Sequence, residues 1–236
     1  MKIHLPNSAF LGNIDPFLHT FNNSGSDTLD ITSNENWISI HPVVLSMVAA
    51  LGLSVKPSDI SFERLEAKSK HYLERMGLFK ILNIESNIVI TEHEPAGRFI
   101  PLVNIKTSDE LAMFITDMIP LLHLEPHQTE PIKYIVSELV RNVFEHSQSE
   151  NGAILCAQFY KKSNTIRIGI ADTGVGIKKT INMSHPAASD TEAIQLALTP
   201  GITGTTKKEG GTEFNAGAGL FFIKSIAKVN RDFFMI

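Results

Sequence analysis

A carboxylate and a carboxamide stand four residues apart, Glu138 and Asn142, within SELVRNVFEHS (residues 137–147). On a helix that spacing makes them neighbours on one face. The apolar positions Ile132, Ile135, Val136, Leu139, Val140 and Val143 form a stripe on another face, so the polar pair looks toward solvent or a cleft. An amide oxygen is a hard ligand suited to Mg²⁺, and a carboxylate can orient a water or accept a proton. His146 follows one turn later, where it can meet a phosphate. A solvated helix face is the ordinary alternative, because polar pairs at this spacing are common.

Two glycine-bearing segments come later. In IADTGVGI (residues 170–177), Asp172 follows a predicted strand, and Gly174 and Gly176 permit positive φ and the close approach of a ligand. A carboxylate fixed there can accept a hydrogen bond from an exocyclic amine such as that of adenine. A buried site of that kind is selective, because an analogue without the amine leaves it unpaired. In GAGLFFIK (residues 217–224), Gly217, Gly219 and Leu220 open a predicted helix. Unpaired N–H groups with no Cβ in front of them suit phosphate oxygens. A plain Asp-Gly turn and a glycine hinge are the bland counterparts. The GxxxxGK[ST] phosphate loop is absent from the chain, and the spacing and strand context exclude the Gly-rich dinucleotide fingerprint.

These residues need elements to hold them. Apolar spacing predicts a helix from about His127 to Ser147. Before it, a helix capped by Thr107 or Ser108 carries Leu111, Phe114, Ile115, Met118 and Ile119, with Asp109 and Glu110 in its first turn. Two strands, AILCAQFY (153–160) and TIRIGIA (165–171), are joined by a KKSN turn and predict an antiparallel hairpin. A helix opens at Asp190 or Thr191 and runs to Leu198. Residues 199–216 are Gly- and Thr-rich without apolar periodicity and read as a long functional loop. A final helix spans 217–229, and 233–236 begin a strand.

The first hundred residues read as a smaller α/β unit. Strands are expected at 28–32 and 37–40, the second ended by His41-Pro42 and carrying Trp37 as a packing anchor. A helix over 43–51 is stopped by Gly52. A second helix after Ser58-Asp59 carries Phe62, Leu65, Ala67, Tyr72 and Leu73 and breaks at Gly77. Residues 87–91 form a short strand and 92–101 a linker. The domain boundary falls near Pro101, giving domains 1–100 and 101–236.

The 236 residues are 43% apolar and 19% charged, ordinary for a soluble globular protein. A formal charge of −4 provides no basic footprint for nucleic acid. Cys156 is the only cysteine, which fits a reducing cytoplasm. The first residues do not read as a signal peptide, and the longest apolar stretch, 42–55, is too short to span a bilayer. The histidines His19, His93, His123, His127 and His185 show no paired ligand spacing for zinc.

ELVRN, DTGVGI and GAGLFFIK together resemble the three nucleotide-binding boxes of the GHKL ATPase superfamily, most closely its histidine kinases and anti-sigma-factor serine kinases. The resemblance covers roughly residues 105–236. It implies a Bergerat fold, an α/β sandwich with a mixed sheet under helices, binding ATP with Mg²⁺. On this resemblance Asn142 is the Mg²⁺ ligand, Glu138 the general base and Asp172 the adenine reader. Gly174, Gly176, Gly217, Gly219, Leu220 and His146 flank the nucleotide. Residues 199–216 become the ATP lid, with Lys207 and Lys208 either meeting the γ-phosphate or sitting at a solvated loop tip.

Three departures stand out. Glu145 occupies a place where many histidine kinases carry Lys. No phospho-accepting histidine has the helical setting of those kinases, since His41 precedes Pro42 and His71 reads as a surface residue. The family's last strands would follow Ile236. Less closely, WISIHP, the apolar helix after it and YLERMGLFKIL resemble a STAS-like domain. There the place of the phospho-accepting serine is held by His41-Pro42, so that phospho-switch is not supported, and Ser39 and Ser46 read as ordinary serines.

The resemblance implies a cytoplasmic Mg·ATP-binding signalling protein that hydrolyses ATP or transfers its γ-phosphate to a protein partner. Homodimerisation stays open, and neither nucleic acid nor membrane is expected as a partner. The alternatives are a module that holds ATP or ADP without turnover and presents its N-terminal domain to a partner, and an α/β protein without nucleotide.

Overall fold

The computed structural model describes residues 1–5, 8–9, 27–33, 39–63, 65, 67–88, 98–123, 126–204 and 217–236. The protein is mixed α/β and divides into two compact units. The first comprises Met1–His123 and Asn151–Asp172, the second Leu124–Glu150 and Thr173–Ile236.

In the first unit, β1 (Lys2–Leu5), β3 (Leu29–Ser33) and β5 (Ile60–Glu63) form a parallel sheet in the order β1-β3-β5. Strand β3 buries Leu29, Ile31 and Ser33 in strict alternation, the period-two pattern of a strand with one face on the core. Strand β2 (Ser8–Ala9) pairs in parallel with β4 (Ser39–Ile40). The strand expected over 37–40 is described only at β4, and Trp37 lies outside the described residues.

Helix α1 (Pro42–Leu53) follows directly. His41 is its N-cap, with Nδ1 accepting from the Val43 N–H at 3.2 Å, and Pro42 takes the first helical position, where no N–H is needed. The helix is apolar nearly all round, and Val44, Leu45, Val48, Ala49 and Ala50 are buried, as expected of a helix enclosed by its surroundings. Gly52 does not stop it. It lies inside the last turn, where an added Cβ would come within 2.6 Å of Leu82 Cδ2.

The second predicted helix begins later than its apolar spacing suggested. Phe62 lies in β5, and α2 starts at Ala67 (Ala67–Arg75). Gly77, at φ 75°, separates it from the short α3 (Leu78–Ile81). No strand is present at Asn87 and Ile88, and residues 89–97, including most of the expected linker, lie outside the described residues. Pro101 belongs to β6 (Phe99–Ile105), inside the first unit. A register shift between Ile100 and Val103 accommodates that proline on an edge strand.

Strand β6 pairs with β7 (Ala153–Tyr160), which pairs with β8 (Thr165–Ala171), all antiparallel, as the hairpin pattern predicted for the last two. Asn164 turns the hairpin at φ 48°. Helix α4 (Ser108–Leu122) packs on β6 and β7 and buries Leu111, Phe114, Met118, Leu121 and Leu122. Its start is a full capping box between Thr107 and Glu110. Helix α1 packs on β7 and β8.

The second unit is helical in its described part: α5 (Pro126–Asn142), a π-helical turn (Val143–Ser147), α6 (Gly176–Asn182), α7 (Asp190–Ala197) and α8 (Gly219–Asn230). Ser189 caps α7 by accepting from the Glu192 N–H. Ile181, Ala187 and Ala193 close a small core between α6 and α7. Residues 233–236 form no strand, and Phe233 is exposed. No described helix is long and apolar enough to cross a membrane.

Candidate functional site

Helix α5 presents the first chemistry. Val136 and Val140 are buried, and Val143 follows them in the π-helical turn. This leaves Glu138 on a flank, with 21% of its side chain exposed. Arg141 Nη1 donates to Glu138 Oε1 at 3.2 Å. Tyr134, one turn earlier, has its hydroxyl pKa raised, first by desolvation and then by the Glu138 carboxylate, with Arg141 opposing. Asn142 ends the α-helical run. Its Nδ2 is enclosed and has no hydrogen-bond partner among the described residues, a costly state for a buried amide donor.

The sequence predicts an unbroken helix to Ser147. Instead, residues Val143–Ser147 widen into a π-helical turn that ends at Gln148, φ 56°. Such turns recur at functional sites. His146 lies in it with 20% of its side chain exposed, its Nε2 3.8 Å from Glu145 Oε2.

The glycine-rich turn is fastened to the end of this widened turn. Val175 N–H donates to Ser147 O at 2.7 Å. Gly174 lies so close that a Cβ there would sit 2.1 Å from the same oxygen, so only glycine fits. Gly176, at φ 79°, opens α6 into free space. Thr180 Oγ1 donates to Gly176 O at 3.1 Å and to His146 O at 3.4 Å.

Helix α8 brings the last segment to α5. Gly217 has φ 62° and accepts at its carbonyl from Gly201 N–H at 3.1 Å. Ala218 is the N-cap and supplies no side-chain acceptor to the first turn. A Cβ at Gly219 would lie 2.8 Å from Glu138 Oε2. The missing side chain at 219 is therefore what lets the carboxylate occupy its place beside the start of α8. Leu220 is half-buried in the same turn.

Eight of the nine sequence-predicted residues thus fall in the second unit: Glu138, Asn142, His146, Gly174, Gly176, Gly217, Gly219 and Leu220. The structure brings Glu138 against Gly219, and the Gly174 turn against the helix end that carries His146. Asp172 is the last residue of the first unit, exposed at the chain end of β8. Lys207 and Lys208 lie outside the described residues. A cleft of about 580 Å³ opens beside the turn, lined by Val175, Lys178, Lys179, Asn182, Met183 and Asp190. Glu138, Asn142 and Gly219 are not among its walls.

Among the described residues, no three His, Cys, Asp or Glu side chains gather to hold a metal. A Mg²⁺ ion bound with a phosphate substrate needs only one or two protein ligands. The enclosed, unpaired amide of Asn142 suits such a role, because rotating the amide by half a turn exchanges its nitrogen for its oxygen. Arg141, Ser147 and Thr180 were not singled out in the sequence. Arg141 alone carried a readable signal, an opposite charge three residues after Glu138. No protein-family model, curated protein or solved structure matches the chain.

Proposed function

We propose that this chain binds Mg·ATP in the manner of the GHKL superfamily and hydrolyses it or passes its γ-phosphate to a protein partner. On this reading residues 101–236 carry the Bergerat-type elements and residues 1–100 a STAS-like part that recruits or regulates, although 101–123 and 151–172 share one compact unit with the first hundred residues. The observation that carries it is the meeting of Glu138 with the glycine start of α8, Oε2 lying 2.8 Å from where a Cβ of residue 219 would be. The unpaired amide of Asn142 lies one helical turn further along α5. A proton acceptor, an amide and a Gly-rich helix start are what phosphoryl transfer asks of a protein, since positioning and charge neutralisation do most of the work.

The roles follow from the chemistry of each group. Asn142 holds the metal through its amide oxygen. Glu138 accepts a proton at Oε2, the oxygen not engaged by Arg141. Asp172 accepts from the adenine amine; Gly176, where a Cβ would meet nothing within 4 Å, leaves room for the base, and Gly174 holds the turn against Ser147. Gly219 and Leu220 offer main-chain N–H groups at the start of α8 to phosphate oxygens, with Gly217 shaping the turn before them, and His146 flanks the phosphates. Bound Mg²⁺ would offset the charge of the phosphates.

The test is calorimetric titration with ATP, with and without Mg²⁺, beside the Asp172→Asn variant, followed by assay of phosphate release. Binding that tightens with Mg²⁺ and weakens in Asp172→Asn is the expected result. Binding without phosphate release, and without labelling of a partner, would leave a nucleotide-holding module. No binding by these 236 residues would count against the reading.

A further inference from the structure

Along the exposed flank of α5 and the π-helical turn, one guanidinium lies between two carboxylates. Arg141 Nη1 is 3.2 Å from Glu138 Oε1, and Arg141 Nε is 3.9 Å from Glu145 Oε1. We infer that Arg141 is a positioning residue for Glu138, holding Oε1 so that Oε2 stays directed at the start of α8, with Glu145 anchoring the far side of the guanidinium. The inference rests on the Mg·ATP reading, because it assigns Arg141 a part in that site.

Three observations carry it. The two oxygens of Glu138 have different surroundings: Oε1 meets Arg141, while Oε2 lies over Gly219. A carboxylate free to rotate would lose that distinction, and a planar guanidinium fixes it better than a point charge. Secondly, Glu145 does not stand as an isolated negative charge. It is 46% exposed and within ion-pair range of Arg141, so the charge that departs from the histidine-kinase pattern is offset by a residue on the same face. Thirdly, the arrangement has an internal control. Lys133 and Glu130 form a pair of the same i,i+3 spacing earlier on the same helix, at 2.6 Å. Exposed pairs of this kind add little stability, so loss of either should leave the fold intact. Only loss of the Arg141 pair should reach the chemistry.

The experiment compares wild type, Arg141→Gln, Arg141→Lys and Lys133→Gln for Mg·ATP affinity by calorimetry and for phosphate release at saturating ATP. Arg141→Gln is expected to bind ATP as wild type does while its kcat falls about tenfold, the cost of a base that is present but poorly aimed. Arg141→Lys should recover part of that loss, because the charge is restored without the planar fork. Lys133→Gln should match wild type in both. Wild-type turnover in Arg141→Gln, or an equal loss in Lys133→Gln, would overturn the positioning role while leaving the Mg·ATP reading in place. Wild type that binds Mg·ATP but releases no phosphate would overturn the positioning role in the same way. If wild type binds no ATP, the Mg·ATP reading itself fails and the positioning role falls with it.

Discussion

Glu138 owes its place to a residue with no side chain. Because a Cβ at position 219 would come within 2.8 Å of Glu138 Oε2, Gly219→Ala must push the carboxylate aside, and a flexible glutamate can yield. The expected result is a folded protein whose melting temperature is nearly unchanged but whose phosphate release falls about tenfold or more, since a small misplacement of a catalytic group is costly. Unchanged turnover would show that the contact has no catalytic meaning. Glu138→Ala should keep ATP affinity and lose turnover, by roughly 10²- to 10⁴-fold for a general base; full activity would remove Glu138 from that role. Asn142→Ala should act differently, abolishing the Mg²⁺-dependent part of ATP affinity in calorimetry, because it deletes the proposed ligand. Its fold should tolerate the change, since the enclosed Nδ2 has no partner to lose. The acid and the amide were legible in the sequence because four-residue spacing fixes their common face. Arg141's part was not, because an arginine three residues from a glutamate is ordinary until the guanidinium is seen at one oxygen only.

At the scale of elements, two glycines decide how segments meet. In the first unit, α1 lies so close to β8 that a Cβ at Gly169 would sit 2.2 Å from Pro42 O. The obstacle is backbone on both sides, so Gly169→Ala should force the helix off the sheet and destabilise by about 1–3 kcal/mol, the usual range for overpacking. Urea denaturation would measure it, and a wild-type midpoint would contradict the packing. In the second unit, Gly174→Ala would meet Ser147 O at 2.1 Å and break the Val175–Ser147 hydrogen bond. Much of this framework could be read in advance. The hairpin of β7 and β8, the Thr107 cap of α4 and the apolar run of α1 each had a strong local signal. Strand β6 did not, since Pro101 and Gly97 read as loop residues and only pairing with β7, through an irregular register, places Pro101 in a strand. Strand β5 was hidden likewise, its Phe62 and the nearby Leu65 imitating helical spacing. The π-helical turn has no sequence signature at all. It ends at Ser147, whose carbonyl accepts from the Val175 N–H at 2.7 Å.

At the scale of the whole molecule, the first unit is assembled from two separated stretches of chain, Met1–His123 and Asn151–Asp172. Its core joins Ile3, Leu29, Leu45 and Leu78 to Ile154 and Cys156. That core carries two buried titratable groups at the seam between α1 and the β7–β8 hairpin. Cys156 Sγ lies 3.4 Å from both Ser46 Oγ and Pro42 O, and burial lifts its pKa to about 12. His41, 4% exposed, has its pKa lowered to about 4, by burial first and by the Arg167 guanidinium second. A histidine pKa held below its unfolded value of 6.5 means that the unfolded chain takes up the proton first. The stabilisation is therefore complete above about pH 6.5 and is lost as pH falls toward 4, by about 3 kcal/mol over the window. Protonation also costs the helix its cap, because Nδ1 accepts from the Val43 N–H and a protonated ring can no longer accept there. His41→Asn should preserve the cap, since asparagine is among the best N-cap residues, and should remove the titration. Urea unfolding of wild type across this range should show a falling midpoint, and the His41→Asn profile should be flatter by that amount. An equally steep profile in His41→Asn would place the acid sensitivity in other groups.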